Sequence, residues 1–233
     1  MENKTRKPPF GERLANFWYY YKWHSIVALI LVFAFSVCTL QMCQNTSPDI
    51  YVLYAGGKSF LQKSGEDADL SAHVAAQSSL KRFSGDYNGD GRVEVEFEAY
   101  YIPTAKEIAE IEKNDGYIDK SFVNQNKKDF NELVMYGDYL ILIMSEELFR
   151  DTYTNTAANP FASLRDYTEN GSLEFVNDYA VYLSSTELGK MPEFNLLPED
   201  TVIAFRIYSE VPLFRPDRAL YEHSEETLRE ILK

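Results

Sequence analysis

Residues 24–44 read HSIVALILVFAFSVCTLQMCQ, and this stretch decides how the rest of the chain is organised. From Ile26 to Cys43 the run carries no charged side chain and is rich in Ile, Val, Leu, Phe and Ala. A helix of this length extends over about 27 Å, close to the thickness of a bilayer's hydrocarbon core. Since a single segment in lipid can satisfy its backbone only as a helix, residues 26–43 predict one transmembrane helix.

The charges on either side of this run predict its orientation. Residues 1–25 form a basic and aromatic head with five Lys or Arg and two Glu, a net charge of +3. The whole chain has a net charge of −13, which leaves −16 for residues 26–233. Lys and Arg beside a span stay in the cytoplasm, so we expect a cytoplasmic N-terminus and an extracellular C-terminal domain. The run FWYYYKW at 17–23 fits an aromatic belt at the membrane interface.

A cleaved secretory signal peptide is the alternative explanation of the apolar run. Such peptides have shorter apolar cores and small residues at the cleavage site. Here the run ends in bulky residues at 39–42, and neither Cys38 nor Cys43 follows the small residues of a lipoprotein signal. We therefore predict an uncleaved signal anchor in the cell membrane. Because both cysteines lie in the span or at its outer edge, the external domain has no disulfide framework.

After a polar linker at 44–48, residues 49–233 predict one external α/β domain. Strand patterns occur at 50–54, 93–101, 138–144, 179–183 and 202–208, and helix patterns at 68–83, 103–113, 122–136 and 146–150. Ser224 is expected to cap a last helix. Along 93–101 apolar residues alternate with acidic ones, which predicts a strand with one buried and one acidic face. Central strands that are apolar on both faces predict a mixed sheet with helices on both sides.

The sharpest local pattern is DYNGDGRV at 86–93, which resembles the first half of an EF-hand or dockerin-type calcium loop. The resemblance implies side-chain ligands at Asp86, Asn88 and Asp90 and a carbonyl ligand at Arg92. Phe97 stands where such a loop has its bidentate Glu, and Glu94, Glu96 or Glu98 on one strand face would have to substitute for it. Asn, Asp and Gly also favour plain turns, so calcium as a weakly bound structural cofactor and a metal-free turn both stay open.

Catalytic motifs are missing from the sequence. The three histidines stand apart, no P-loop, GxGxxG or GxSxG pattern occurs, and the external domain has no thiol. The acidic pairs at 146–147 and 225–226 are typical of the first turn of a helix. The acidic charge balance also argues against a nucleic-acid partner.

Two resemblances to known families follow from particular segments. The segment FWYYYKWHSI at 17–26, followed by PDIYVLYAGG at 48–57, resembles uncharacterised single-pass, membrane-anchored proteins of Firmicutes, of the clostridial type. The segments at 137–142, 148–149 and 164–167 are similar to the central part of extracellular solute-binding proteins. The second resemblance implies a reduced, membrane-tethered relative of those proteins.

The sequence favours a membrane-tethered, extracytoplasmic binding or interaction module as the function. It would be a reduced solute-binding-like domain or an accessory subunit with a protein partner in the membrane or envelope. The alternatives are a cell-envelope hydrolase that uses carboxylates and a sensor that relays through a partner. A convergent cleft of carboxylates with perturbed pKa values would favour the enzyme, and its absence would favour the binding module.

Overall fold

A computed structural model describes residues 9–44, 47–60, 62–64, 67–155, 159–209, 211 and 215–233. The chain forms two compact units, residues 1–46 and 47–233. The first eight residues and residues 45–46 lie outside the described part, and with them most of the basic charge of the head and part of the predicted linker.

The first unit is built on one long helix, α1 (Phe10–Gln44). It starts before the predicted span, so the aromatic run and the apolar run form one continuous helix. The stretch Phe17–Thr39 is long and apolar enough to cross a membrane, by length and composition. The hydroxyls of Ser36 and Thr39 donate to carbonyls one turn earlier, each at 2.8 Å, so these polar groups are satisfied within the helix.

The second unit is an α/β domain. Along the chain its elements are β1 (Ile50–Gly56), β2 (Gln62–Ser64), β3 (Asp67–Asp69), α2 (Ser71–Leu80), β4 (Val95–Tyr101), α3 (Ala105–Lys113), α4 (Lys120–Tyr136), β5 (Ile141–Ser145), α5 (Glu146–Asn155), β6 (Phe175–Asn177), β7 (Ala180–Tyr182), β8 (Thr201–Phe205) and α6 (Arg218–Ile231). Short 3₁₀ turns lie at Leu164–Tyr167, Leu183–Ser185 and Leu188–Lys190. Strands β2 and β3 form a separate two-stranded ribbon.

The main sheet has six strands in the order β4-β1-β5-β8-β7-β6. Strands β4, β1 and β5 are parallel, and β8, β7 and β6 continue the sheet by antiparallel pairing. This arrangement confirms the predicted mixed sheet. The connection between β6 and β7 is too short for a helical crossover, so this pair is antiparallel.

Helices cover both faces of the sheet, as predicted. On one face α2 and α6 contribute buried residues such as Leu80 and Leu228. On the other face α4 and α5 contribute Phe130 and Phe149. Every residue of β5 and β8 is buried, so these strands need both helical layers.

The predicted start of the last helix is wrong. Helix α6 begins at Arg218, and its cap is Asp217, whose carboxylate accepts from Leu220 N–H at 3.1 Å. Ser224 lies in the middle of the helix and is fully buried. Serine favours the cap position of a helix. Here the helix packs on the sheet, and Ser224 lies on its buried face.

Three further boundaries also differ from the predictions. Residues 68–69, assigned to a helix, end strand β3, and α2 starts only at Ser71. The helix predicted over 146–150 extends to Asn155. The acidic strand begins at Val95 rather than at residue 93 and keeps the predicted alternation at its start, with Val95 and Phe97 buried.

Helix α4 should anchor one layer of the fold through Phe130, which is fully buried, whereas Phe122 on the same helix is 55% exposed. We expect Phe130→Ala to lower the free energy of unfolding by about 3–5 kcal/mol, because it leaves a cavity in the core. Phe122→Ala is the matched control and should cost less than about 1 kcal/mol. Urea unfolding of the full-length protein in mild detergent, followed by near-ultraviolet circular dichroism, measures both. Equal losses for the two variants would contradict this packing.

Candidate functional site

The predicted calcium loop folds into a tight, internally bonded turn. The carboxylate of Asp86 accepts from Gly89 N–H at 2.8 Å, from Asp90 N–H at 3.1 Å and from Gly91 N–H at 2.9 Å. The side chains of Asn88 and Asp90 each accept from the backbone N–H two residues further on, at 2.9 and 2.8 Å. Gly89 and Gly91 have φ angles of 73° and 84°, which glycine adopts without strain. The three predicted side-chain ligands therefore lie together on one turn.

Asp49 holds this loop against the sheet. Its side chain is almost fully buried, and its carboxylate accepts from Tyr87 N–H at 2.8 Å, Asn88 N–H at 3.0 Å and Glu94 N–H at 2.8 Å. Three backbone donors satisfy a buried carboxylate. The start of β1 thus fixes both ends of the turn, a role that the sequence did not indicate for Asp49.

The acidic residues that were expected to complete a calcium site have other neighbours. Glu94 forms an ion pair with Lys81 at 2.6 Å. Partial burial raises the pKa of Glu98, and the nearby Glu96 adds to this effect, so these two carboxylates lie together on β4. Within the described residues no third His, Cys, Asp or Glu side chain joins Asp86 and Asp90 in a metal-binding group. Calcium binding through Asp86, Asn88, Asp90 and the Arg92 carbonyl stays a prediction.

The carboxyl ends of β1 and β5 form the point where ligands bind in many open α/β sheets, because the connections from adjacent strands diverge there. Gly56 ends β1 at this point and Gly57 follows it, and both glycines are in close contact with other side chains of the protein. The Tyr54 ring lies where a side chain on Gly56 would be, and the Glu107 carboxylate lies where one on Gly57 would be. The protein itself therefore fills this crevice.

The carboxylates near this crevice are bound to the protein. Glu107 accepts from the N–H and the hydroxyl of Thr104 at 2.7 and 2.8 Å, and the pair forms the capping box of α3. Glu147, at the start of α5, accepts from Ala105 N–H with both oxygens at 3.2 Å. These two glutamates therefore stabilise the start of α3.

Two more carboxylates, Glu146 and Asp200, lie near Glu107 at this crevice. The Tyr182 hydroxyl, which donates to Glu146 at 2.7 Å, holds the pKa of that carboxyl below its usual value, and Arg150 contributes to the same shift. Partial burial raises the pKa of Asp200, and Glu107 and Glu146 raise it further. Glu107, Glu146 and Glu147 each accept hydrogen bonds from the protein, so they act as structural acceptors.

A cavity of about 420 Å³ opens at the end of the edge strand β4. It is lined by aromatic side chains and a few polar ones: Lys58, Ser59, Phe60, Ala99, Tyr100, Tyr101, Phe122 and Asn126. A concave, mostly apolar site with few polar groups is typical of small-molecule binding. The residues come from the β1–β2 connection, from β4 and from α4, three segments that are far apart in the sequence.

A second cavity, of about 510 Å³, lies between the start of α3, α4 and α5. Its charged groups are bound to one another, since Lys127 forms an ion pair with Asp151 and Glu147 binds Ala105 N–H. A ligand there would have to compete with these internal contacts. The aromatic cavity at β4 is therefore the better candidate site.

The histidines of the domain serve in packing. His73 lies against the Phe97 ring at 5.3 Å, and His223 stacks on the Tyr87 ring at 4.3 Å with nearly parallel planes. Tyr87 belongs to the calcium-like loop, so this stack joins the loop to α6. His73 also lies close enough to the Glu98 carboxylate to act against the rise in the pKa of that group.

Comparisons of the chain with protein-family models, with curated proteins and with solved structures found no match. The two family resemblances drawn from short segments therefore stay predictions. The fold and the chemistry of the cavities carry the functional argument.

The calcium prediction can be tested without disrupting the turn. Asp90→Asn keeps an oxygen that can accept from Arg92 N–H but removes a negative charge from the loop. If the loop binds calcium, the melting temperature of the full-length protein should rise with the logarithm of free calcium, and Asp90→Asn should weaken this rise. Glu199→Gln, on the exposed surface, is the control for loss of charge alone. An unchanged melting temperature at about 10 mM calcium, well above the dissociation constants of extracellular calcium modules, would leave the loop as a turn only.

Proposed function

We propose that this protein is a membrane-tethered, extracytoplasmic binding module. The observation that carries the proposal is the aromatic cavity at the end of β4, which has apolar walls and few polar groups. Such a lining suits recognition of a small ligand, because apolar walls supply affinity and the polar groups fix orientation. The neighbouring carboxylates are engaged in capping and support, so binding without chemistry accounts best for the site.

The apolar helix supplies the tether in this proposal. Phe17–Thr39 is long enough to span a bilayer, and none of it is buried inside the protein. An exposed apolar surface of this length is stable in lipid and costly in water. The basic residues before it and the acidic domain after it favour a cytoplasmic head and an external domain.

The resemblance to solute-binding proteins supports a binding role, and the candidate site for it is the aromatic cavity rather than the crevice between β1 and β5. The crevice between β1 and β5 is filled by Tyr54 and Glu107, as expected for a reduced relative that has lost a ligand cleft. The aromatic cavity at the sheet edge would then be the site that the shorter domain retains. A partner in the membrane or envelope would receive the bound ligand or respond to it.

Cysteine labelling tests the orientation. In a parent with Cys38 and Cys43 replaced by Ala, we introduce Thr5→Cys in the head and Glu199→Cys in the domain as a matched pair. On intact protoplasts a membrane-impermeant maleimide should label Glu199→Cys, whereas Thr5→Cys should react only after permeabilisation, because a bilayer separates the two. Labelling of the head but not of the domain would refute the proposed orientation. A mature N-terminus near residue 44 would establish cleavage in place of a tether.

A further inference from the structure

The aromatic cavity combines flat apolar walls with one deeply buried polar group. Tyr100 and Tyr101 of β4 and Phe122 of α4 contribute to its lining, and Phe122 is 55% exposed. Asn126 is only 7% exposed, and its amide nitrogen donates to Tyr101 O at 2.9 Å. Among the described residues its amide oxygen has no donor, so it can accept a hydrogen bond from a ligand. The walls favour a flat ring, which aromatic side chains stack against.

Lys58 is the charged side chain in the lining. Its ammonium donates to the carbonyl of Glu193 at 3.2 Å and lies 5.2 Å from the centre of the Phe60 ring. The carboxylate of Glu193 binds Ser79 Oγ instead, at 2.6 Å. Among the described residues no carboxylate forms an ion pair with Lys58. Burial lowers the pKa of Lys58, as expected for an ammonium that is partly removed from water, and the nearby Glu193 carboxylate acts in the opposite direction. An ammonium has three donors, so this one can bind further acceptors.

The distribution of charge around the cavity makes Lys58 a candidate binding group for an anion. The chain has 36 Asp and Glu residues, yet no carboxylate is among the described residues that line the cavity. Acidic groups stand outside it, since Glu98 and Asp129 both raise the pKa of Tyr100, after the larger effect of burial. An anionic group of a ligand is therefore attracted to Lys58 inside the cavity, while the acidic surroundings oppose a large polyanion.

We infer that this cavity binds a small aromatic carboxylate, with its ring against the aromatic side chains of the lining and its carboxylate on the ammonium of Lys58. Asn126 accepts a hydrogen bond from a polar group beside the ring. Free aromatic acids and the C-terminal aromatic residue of a peptide share this chemistry. The inference rests on the proposed binding role and names its ligand class.

The test uses two probes of nearly the same shape, N-acetylphenylalanine, which is anionic, and its neutral primary amide. They are titrated calorimetrically into the full-length protein in nanodiscs, with empty nanodiscs as the blank. The acid should bind at least about tenfold more tightly than the amide, because a charge-assisted hydrogen bond to an ammonium replaces a neutral one. Lys58→Met should reduce this ratio to about one. Phe122→Ala should weaken both probes by a similar factor and preserve the ratio.

Lys113→Met and Tyr117→Ala are the matched controls, since both residues are exposed and neither lines the cavity. They should leave both affinities unchanged, and circular dichroism melts confirm that every variant is folded. A pentapeptide ending in Phe, compared with the free acid, distinguishes a peptide from a free ligand. Equal affinity for acid and amide, an unchanged ratio in Lys58→Met, or tighter binding of phenethylamine would overturn the inference. Binding of the amide or of phenethylamine without a preference for the acid would overturn the anionic ligand and leave the binding role standing, so the two proposals fail separately.

Discussion

The need to bury both faces of the central strands governs the domain. Strands β5 and β8 have no exposed residue, and β1 has one that is partly exposed. A sheet of this kind is stable only when helices remove both faces from water, as α2 and α6 do on one side and α4 and α5 on the other. With both faces covered, the chemistry of the domain is confined to the ends and the edge of the sheet.

The edge of the sheet has an open cavity at the end of β4, whereas side chains occupy the space beside the glycines at the carboxyl end of β1. Helices protect the edge strand β4, since Gln77 donates to Val95 O at 3.2 Å and Asn126 donates to Tyr101 O at 2.9 Å. These side-chain amides replace a neighbouring strand and oppose edge-to-edge association. At the β1–β5 crevice, Tyr54 and Glu107 fill the space beside the glycines. The open volume lies where β4 ends, and Asn126 takes part in both the protected edge and the cavity.

The turn at 86–92 shows how an acidic segment can be ordered by its own backbone. Asp49 and Asp86 together accept six backbone N–H groups, and these bonds order the loop without a cation. The same side chains that were predicted to bind calcium therefore also hold the turn together through the backbone.

The sequence by itself determined the features that depend on neighbouring residues. The apolar run that forms α1, the buried strands, the acidic alternation of β4 and the turn at 86–92 all follow from local patterns. Even so, a good local signal placed the start of α6 at Ser224, although packing put that residue in the core and Asp217 at the cap. Only the tertiary structure brought Lys58, Tyr101 and Phe122 to one cavity and gave Asp49 its role at the turn. Strand order and helix packing decide such contacts, because they join residues that are distant in the sequence and that no local pattern relates.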